Sequence, residues 1–244
     1  MCHDDLARPP LPPTVTGSAT GRDVVLTAAD GNRFLAYEAT PEHPTGPRFV
    51  LVPDVRGLHP FYRELALTFA RAGIGTVAID VYARTAGIAW RGDNFDVTGD
   101  EHAVHLSRTQ ALDDVRAAAA YLGDGPTYVV GFCYGGGMAL VAGASDLPLA
   151  GVIAFYPYTG AYGVDDALPD DFVAGIRVPV LGLFGDADHA VPIEKPRAFE
   201  RHLSDGRQDI VIFPGEGHGF FEEPADGSTA PAQAWDRLLE FVAG

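Results

Sequence analysis

Six short apolar runs punctuate this chain: Phe49 to Val52, Gly75 to Ile79, Tyr128 to Val130, Gly151 to Phe155, Val178 to Phe184 and Ile210 to Phe213. Strands need such uninterrupted apolar runs when both faces are covered, as in a parallel sheet flanked by helices. Segments of helical periodicity separate them, at 61–72, 110–122, 136–144, 195–203 and 232–242. The order predicts an α/β, doubly wound, mostly parallel sheet with helices on both faces and no large separate cap domain. In such a sheet, ligands sit beyond the carboxyl ends of the strands, so any site is expected in the loops that follow them.

Ahead of these runs, Asp23 to Thr27 and Arg33 to Ala39 flank the turn cluster Asp30-Gly31-Asn32, which predicts an antiparallel hairpin at one sheet edge. Residues 1–20 contain Pro9, Pro10, Pro12 and Pro13, which sustain neither a helix nor a ladder, so a flexible arm or a strap is expected there. Residues 21–244 are expected to form one domain. The irregular stretches Arg84 to Ala103 and Pro157 to Ile176 follow strands and are candidates to wall a pocket.

A net charge of −16 removes nucleic acid from the expected partners, because phosphate affinity comes from clustered Lys and Arg. The two cysteines, Cys2 and Cys133, support neither a disulfide framework nor a four-cysteine zinc site, and a reducing, cytoplasmic setting is expected. His102 and His105 are spaced to share a helix face but have no evident third ligand, so no metal or other cofactor is expected. The first twenty residues lack an apolar leader core and no later run approaches a membrane span, so no membrane association is expected.

The densest chemical signal is Val129-Val130-Gly131-Phe132-Cys133-Tyr134-Gly135-Gly136-Gly137, an apolar strand running into a glycine cluster and then a helical segment. Gly-x-nucleophile-x-Gly spacing belongs to a sharp strand-to-helix elbow, where a side chain two places from the nucleophile would clash with neighbouring backbone. Cys133 would project from that turn at a helix N-terminus, which favours a thiolate. A buried, inert cysteine among packing glycines is the bland alternative. The absence of a Gly-Lys-Ser/Thr ending argues against a phosphate loop.

A cysteine nucleophile needs a base, and on α/β-hydrolases the chain order is nucleophile, acid, histidine. His218 lies in the glycine-rich loop Pro214 to Phe220, after the last apolar run, where that order places the base. The acid should follow the preceding strand, where Asp186 and Asp188 both occur and either could instead cap a turn.

These segments together resemble the dienelactone hydrolase family, from about Phe49 to the C-terminus. Gly131 to Gly136 is similar to its cysteine elbow, Gly185 to Pro192 to its acid loop and Gly217 to Phe220 to its histidine loop. The resemblance implies an α/β-hydrolase fold and a Cys133, His218, Asp188 triad, with Asp186 as second choice for the acid. It further implies that Asp54 stands where the family has a glutamate that helps deprotonate the thiol, although aspartate reaches about 1.5 Å less. A turn or cap is the alternative use of Asp54.

Arg84 matches an arginine that contacts the substrate carboxylate, the alternative being a solvated loop residue. Two further positions depart from the family pattern: Glu222 stands where a second substrate-binding arginine is expected, and Gly219 where a serine follows the histidine. His189, beside Asp188, is a candidate for the pocket rim.

The expected reaction is attack of Cys133 on a small-molecule ester or lactone, a thioester intermediate and its hydrolysis by His218-activated water. The Val55 and Tyr134 N–H groups would hold the oxyanion. A thioesterase or a small peptidase would use the same groups. A catalytically weak ligand-binding protein, or a redox sensor pairing Cys133 with Cys2, are the readings from other classes.

Overall fold

The computed structural model describes residues 7–12, 15, 17–90, 100–203 and 208–244. Cys2 and the part of the first irregular stretch spanning 91–99 lie outside them. Eight strands form one sheet: β1 (Ala19–Thr27), β2 (Arg33–Pro41), β3 (Arg48–Val52), β4 (Gly75–Ile79), β5 (Thr127–Phe132), β6 (Gly151–Phe155), β7 (Val180–Gly185) and β8 (Gln208–Phe213). Their order is β1-β2-β4-β3-β5-β6-β7-β8. The β1/β2 hairpin is antiparallel and joins β4 antiparallel, whereas every pairing from β4 through β8 is parallel. The six apolar runs and the hairpin therefore form the strands expected of them, with β1 beginning at Ala19 rather than near Asp23.

Both faces of the sheet are covered, which explains why its strands carry no polar alternation. Val50, Val52, Val77, Ile79 and Val129 point into one core with Ala111, Val115 and Ala118 of α4 (Arg108–Leu122), Met138 and Leu140 of α5 (Tyr134–Gly143) and Phe199 of α6 (Glu194–His202). Phe49, Leu51, Val130 and Ile153 point into the other, against Phe61, Leu65 and Phe69 of α1 (Pro60–Arg71) and Trp235 and Leu238 of α7 (Ala230–Ala243). Single turns at α2 (Ala83–Ala86) and α3 (Asp100–Ala103) interrupt the first irregular stretch, and a 3-10 turn, Asp170–Gly175, closes the second.

The N-terminal residues 7–12 behave as a strap. Pro9 and Pro12 are buried, Ala7 packs on the second core, and the Trp235 indole donates to the Pro10 carbonyl at 2.8 Å.

Candidate active site

Strand β5 ends at Phe132 and α5 starts at Tyr134, leaving Cys133 alone to make the turn at φ 52°, ψ −113°. A non-glycine residue at positive φ is strained, and here the surroundings hold it in place. The Cys133 N–H donates to Phe155 O at 3.0 Å, while its carbonyl accepts from Tyr158 N at 2.8 Å and from Gly137 N at 3.0 Å. Two glycines make the turn possible. A Cβ on Gly131 would lie 1.9 Å from Gly135 O, and one on Gly135 would lie 2.1 Å from Val52 O. The second approach presses the start of α5 against the end of β3, and the loop leaving β3 carries Asp54, Val55 and Arg56 past the elbow.

The loops after β7 and β8 are joined backbone to backbone. Ala187 N donates to Glu216 O at 2.9 Å, Asp186 N to Phe213 O at 3.2 Å, and Gly215 N to the Asp186 carboxylate at 2.6 Å. A Cβ at Gly185 would sit 2.1 Å from Glu216 O, so glycine permits this contact. Asp186 is thus occupied in joining the loops, and Asp188 faces the histidine. Its Oδ2 lies 2.8 Å from His218 Nδ1, and its Oδ1 accepts from Ala190 N at 2.7 Å and Val191 N at 2.8 Å. His218 Nε2 is buried with no partner among the described residues. A histidine fixed at Nδ1 by a carboxylate presents its other nitrogen to whatever enters the site.

Cys133 and His218 line one cavity of about 630 Å³, together with Val55, Tyr158, Tyr162, Ala187, His189, Ala190 and Gly217. This volume suits a small ligand. Burial pushes the Cys133 thiol above its ordinary range, and the Asp54 charge pushes it further. The Tyr134 N–H opposes the rise, while Asp188 and Glu222 add to it. A resting neutral thiol follows.

Behind the cysteine lies a buried ion cluster. Arg56 Nη2 and Nε reach Asp54 Oδ2 at 2.8 and 3.1 Å, and the Arg56 N–H donates to Asp54 Oδ1 at 2.8 Å. Arg56 Nη2 also donates to Glu222 Oε2, and the Tyr62 hydroxyl receives the Asp54 N–H at 3.1 Å. Burial raises the Asp54 carboxyl, but the Arg56 guanidinium outweighs burial and leaves it below its usual range. Glu222 is raised to about 7, by burial first and then by Asp54, against the pull of Arg56. Two carboxylates thus share one guanidinium, and Glu222 is the one that keeps a proton most readily.

The structure brings Cys133, His218, Val55 and His189 to one cavity and Asp188 to His218. It does not bring Arg84 there. The Arg84 guanidinium is held by Asp30, by Asp114 at 2.8 Å and by Gln110 O at 2.9 Å. The expected carboxylate contact is therefore replaced by an ion cluster that ties the β1/β2 turn to α4. The Asp54 carboxylate is fastened to Arg56.

A family model of the dienelactone hydrolases matches residues 34–244. The chain belongs to the dienelactone hydrolase family. As a member of that family, it is a hydrolase acting on ester bonds. A carboxymethylenebutenolidase of Rhodococcus opacus is 29% identical, the match covering 99% of this chain and 96% of that protein. Carboxymethylenebutenolidase 1 of Cupriavidus pinatubonensis is 28% identical over 90% of this chain and 95% of its own. A Klebsiella pneumoniae crystal structure named as a dienelactone hydrolase superposes with a TM-score of 0.78 at 24% identity, over 93% of this chain and 99% of that one. The shared architecture is the α/β-hydrolase fold.

In this dienelactone hydrolase family member, sequence reasoning missed Arg56, Tyr62 and the tyrosines of the 156–162 loop. Arg56 sits two places from Asp54, a spacing that could have signalled a side-chain clasp, but its second partner is 166 residues away. Among the described residues, no helix is long and apolar enough to cross a membrane.

Proposed function

We propose that this protein hydrolyses small esters or lactones through a thioester on Cys133, with His218 as general base and acid and Asp188 orienting it. The observation that carries this reading is the clamped imidazole. His218 Nδ1 is fixed by Asp188 at 2.8 Å, and its unpartnered Nε2 belongs to a side chain lining the same cavity as Cys133.

The thiol proton passes to His218 Nε2 as sulfur bonds to the carbonyl carbon. The resulting oxyanion is held by the Val55 and Tyr134 N–H groups, of which Tyr134 already points at the sulfur. Collapse breaks the carbon–oxygen bond, and the departing alkoxide takes the proton from His218. Water then gives a proton to His218 and attacks the thioester, the carbon–sulfur bond breaks, and the thiolate recovers the proton. Asp188 stabilises the imidazolium formed in each half. We place these parts in one domain, residues 21–244, with residues 7–12 as the strap, and assign Asp54 to holding Arg56 rather than to taking the thiol proton.

An ester and lactone panel tests the reading, with wild type beside Cys133→Ala and intact mass measured after brief exposure to an activated ester. Cys133-dependent turnover and an acyl adduct on Cys133 are expected. Equal rates for the two proteins would overturn the assignment.

A further inference from the structure

The arginines near the cavity are already engaged. Arg56 is shared by Asp54 and Glu222, its Nη1 is buried, and it is not among the residues that line the cavity. Arg84 holds Asp30 and Asp114. Arg108, at the base of the 156–162 loop, donates to Gly160 O at 2.5 Å and Asp166 O at 2.7 Å. Neither lysine nor arginine is among the described residues that line the cavity, whose walls include Val55, Ala187, Ala190 and the rings of Tyr158 and Tyr162.

Carboxylates lie near the reacting sulfur instead. Asp54, Asp188 and Glu222 are all buried, with Arg56 as the buried cation among them. A ligand carboxylate entering here would shed its water with no cation among the lining residues to receive it, and would meet like charge.

We propose that the cavity selects uncharged esters or lactones, with their apolar part against Tyr158 and Tyr162, and rejects those that carry a carboxylate. This specificity rests on the Cys133 hydrolase reading for its chemistry, but on cavity charge alone for its sign. Two residues set it: Glu222, which adds a negative charge beside Arg56 above about pH 7, and His189, whose side chain stands on the exposed rim of the cavity.

The test compares 4-nitrophenyl hexanoate with mono-4-nitrophenyl adipate, which share a leaving group and differ by a terminal carboxylate. Rates are taken after subtraction of Cys133→Ala. The neutral ester should have a kcat/KM about thirtyfold higher or more, the scale of one nearby like charge at an effective dielectric of roughly 20. His189→Arg, at an exposed position that leaves the core untouched, should narrow the ratio by about tenfold. Glu222→Gln should narrow it in the same direction in assays above pH 7, where the wild-type side chain is charged.

A ratio near one, or a preference for the adipate ester, would overturn the selectivity while leaving Cys133 chemistry standing. Binding of 2-heptanone and 6-oxoheptanoate to Cys133→Ala separates the two claims. Tighter binding of the neutral ketone supports the selectivity even if neither ester shows Cys133-dependent turnover, a result that would overturn the hydrolase reading. Equal binding would overturn the selectivity.

Discussion

Arg56 reaches Glu222 across 166 residues of chain while gripping Asp54 two places away. The proton kept on Glu222 has a consequence for stability. Its folded value of about 7 lies above the ordinary 4.5, so between these values the folded chain binds the proton that the unfolded chain has released. The stabilisation from this group is fully present below about pH 4.5 and is lost as pH rises through about 7. Urea unfolding across that window should show the wild type losing stability relative to Glu222→Gln as pH rises. Parallel pH profiles for the two proteins would contradict the assignment.

Replacing Asp188 by Asn keeps the shape of the acid loop but removes the charge that, in the mechanism we propose, stabilises the imidazolium and fixes its tautomer. We expect kcat to fall about a thousandfold or more, with KM little changed. Asp186→Asn should leave kcat nearly intact, because Asp186 meets Gly215 N rather than His218. Steady-state kinetics on one neutral ester would distinguish the two.

Gly135→Ala would drive a methyl group to within 2.1 Å of Val52 O and 2.4 Å of Pro53 O, both backbone atoms. The expected cost is about 1 to 3 kcal/mol or more, seen as a Tm lower by about 2 to 10 °C. The elbow should also be displaced, so that alkylation of Cys133 by a cavity-sized reagent changes rate. An unaltered Tm would count against the close approach.

Arg84→Ala should act on stability and not on substrate binding. It leaves Asp114, whose carboxyl is raised to about 6 by burial, without its guanidinium. Loss of about 1 to 3 kcal/mol in denaturant unfolding is expected, with KM for a carboxylated ester unchanged within about twofold. A large selective rise in that KM would restore a substrate-contact role.

Tyr156 stands at φ 35°, and its hydroxyl is buried without a hydrogen-bond partner among the described residues. Its ring packs edge-on to His218 at 5.0 Å between centroids. Tyr156→Phe keeps the ring and deletes the orphaned hydroxyl, so stability should rise by about 1 kcal/mol. A fall in Tm would instead mean that the hydroxyl has a partner in solution.

The strands were legible because burial on both faces leaves no room for polar alternation, and the elbow because close backbone approach demands glycine at Gly131 and Gly135. The choice between Asp186 and Asp188 was not legible from residue types, since both are aspartates in one loop and only the direction of each side chain separates them. Arg84 misled for a related reason. A guanidinium in a loop after a strand suits an anionic ligand, but Asp30 and Asp114 come from the hairpin turn and α4, and only the tertiary fold brings them to it. The Arg56 cluster was hidden by the same distance along the chain.

The missing side chain at Gly185 sets how the parts of the proposed triad can move. With the loops after β7 and β8 locked backbone to backbone, Asp188 and His218 ride on a single chassis, and a push on either loop displaces both. Cys133 is mounted on a different one, the elbow between β5 and α5. The coordinate left free for an incoming molecule to adjust is thus the gap between imidazole and sulfur, while the pairing of acid with base stays constant.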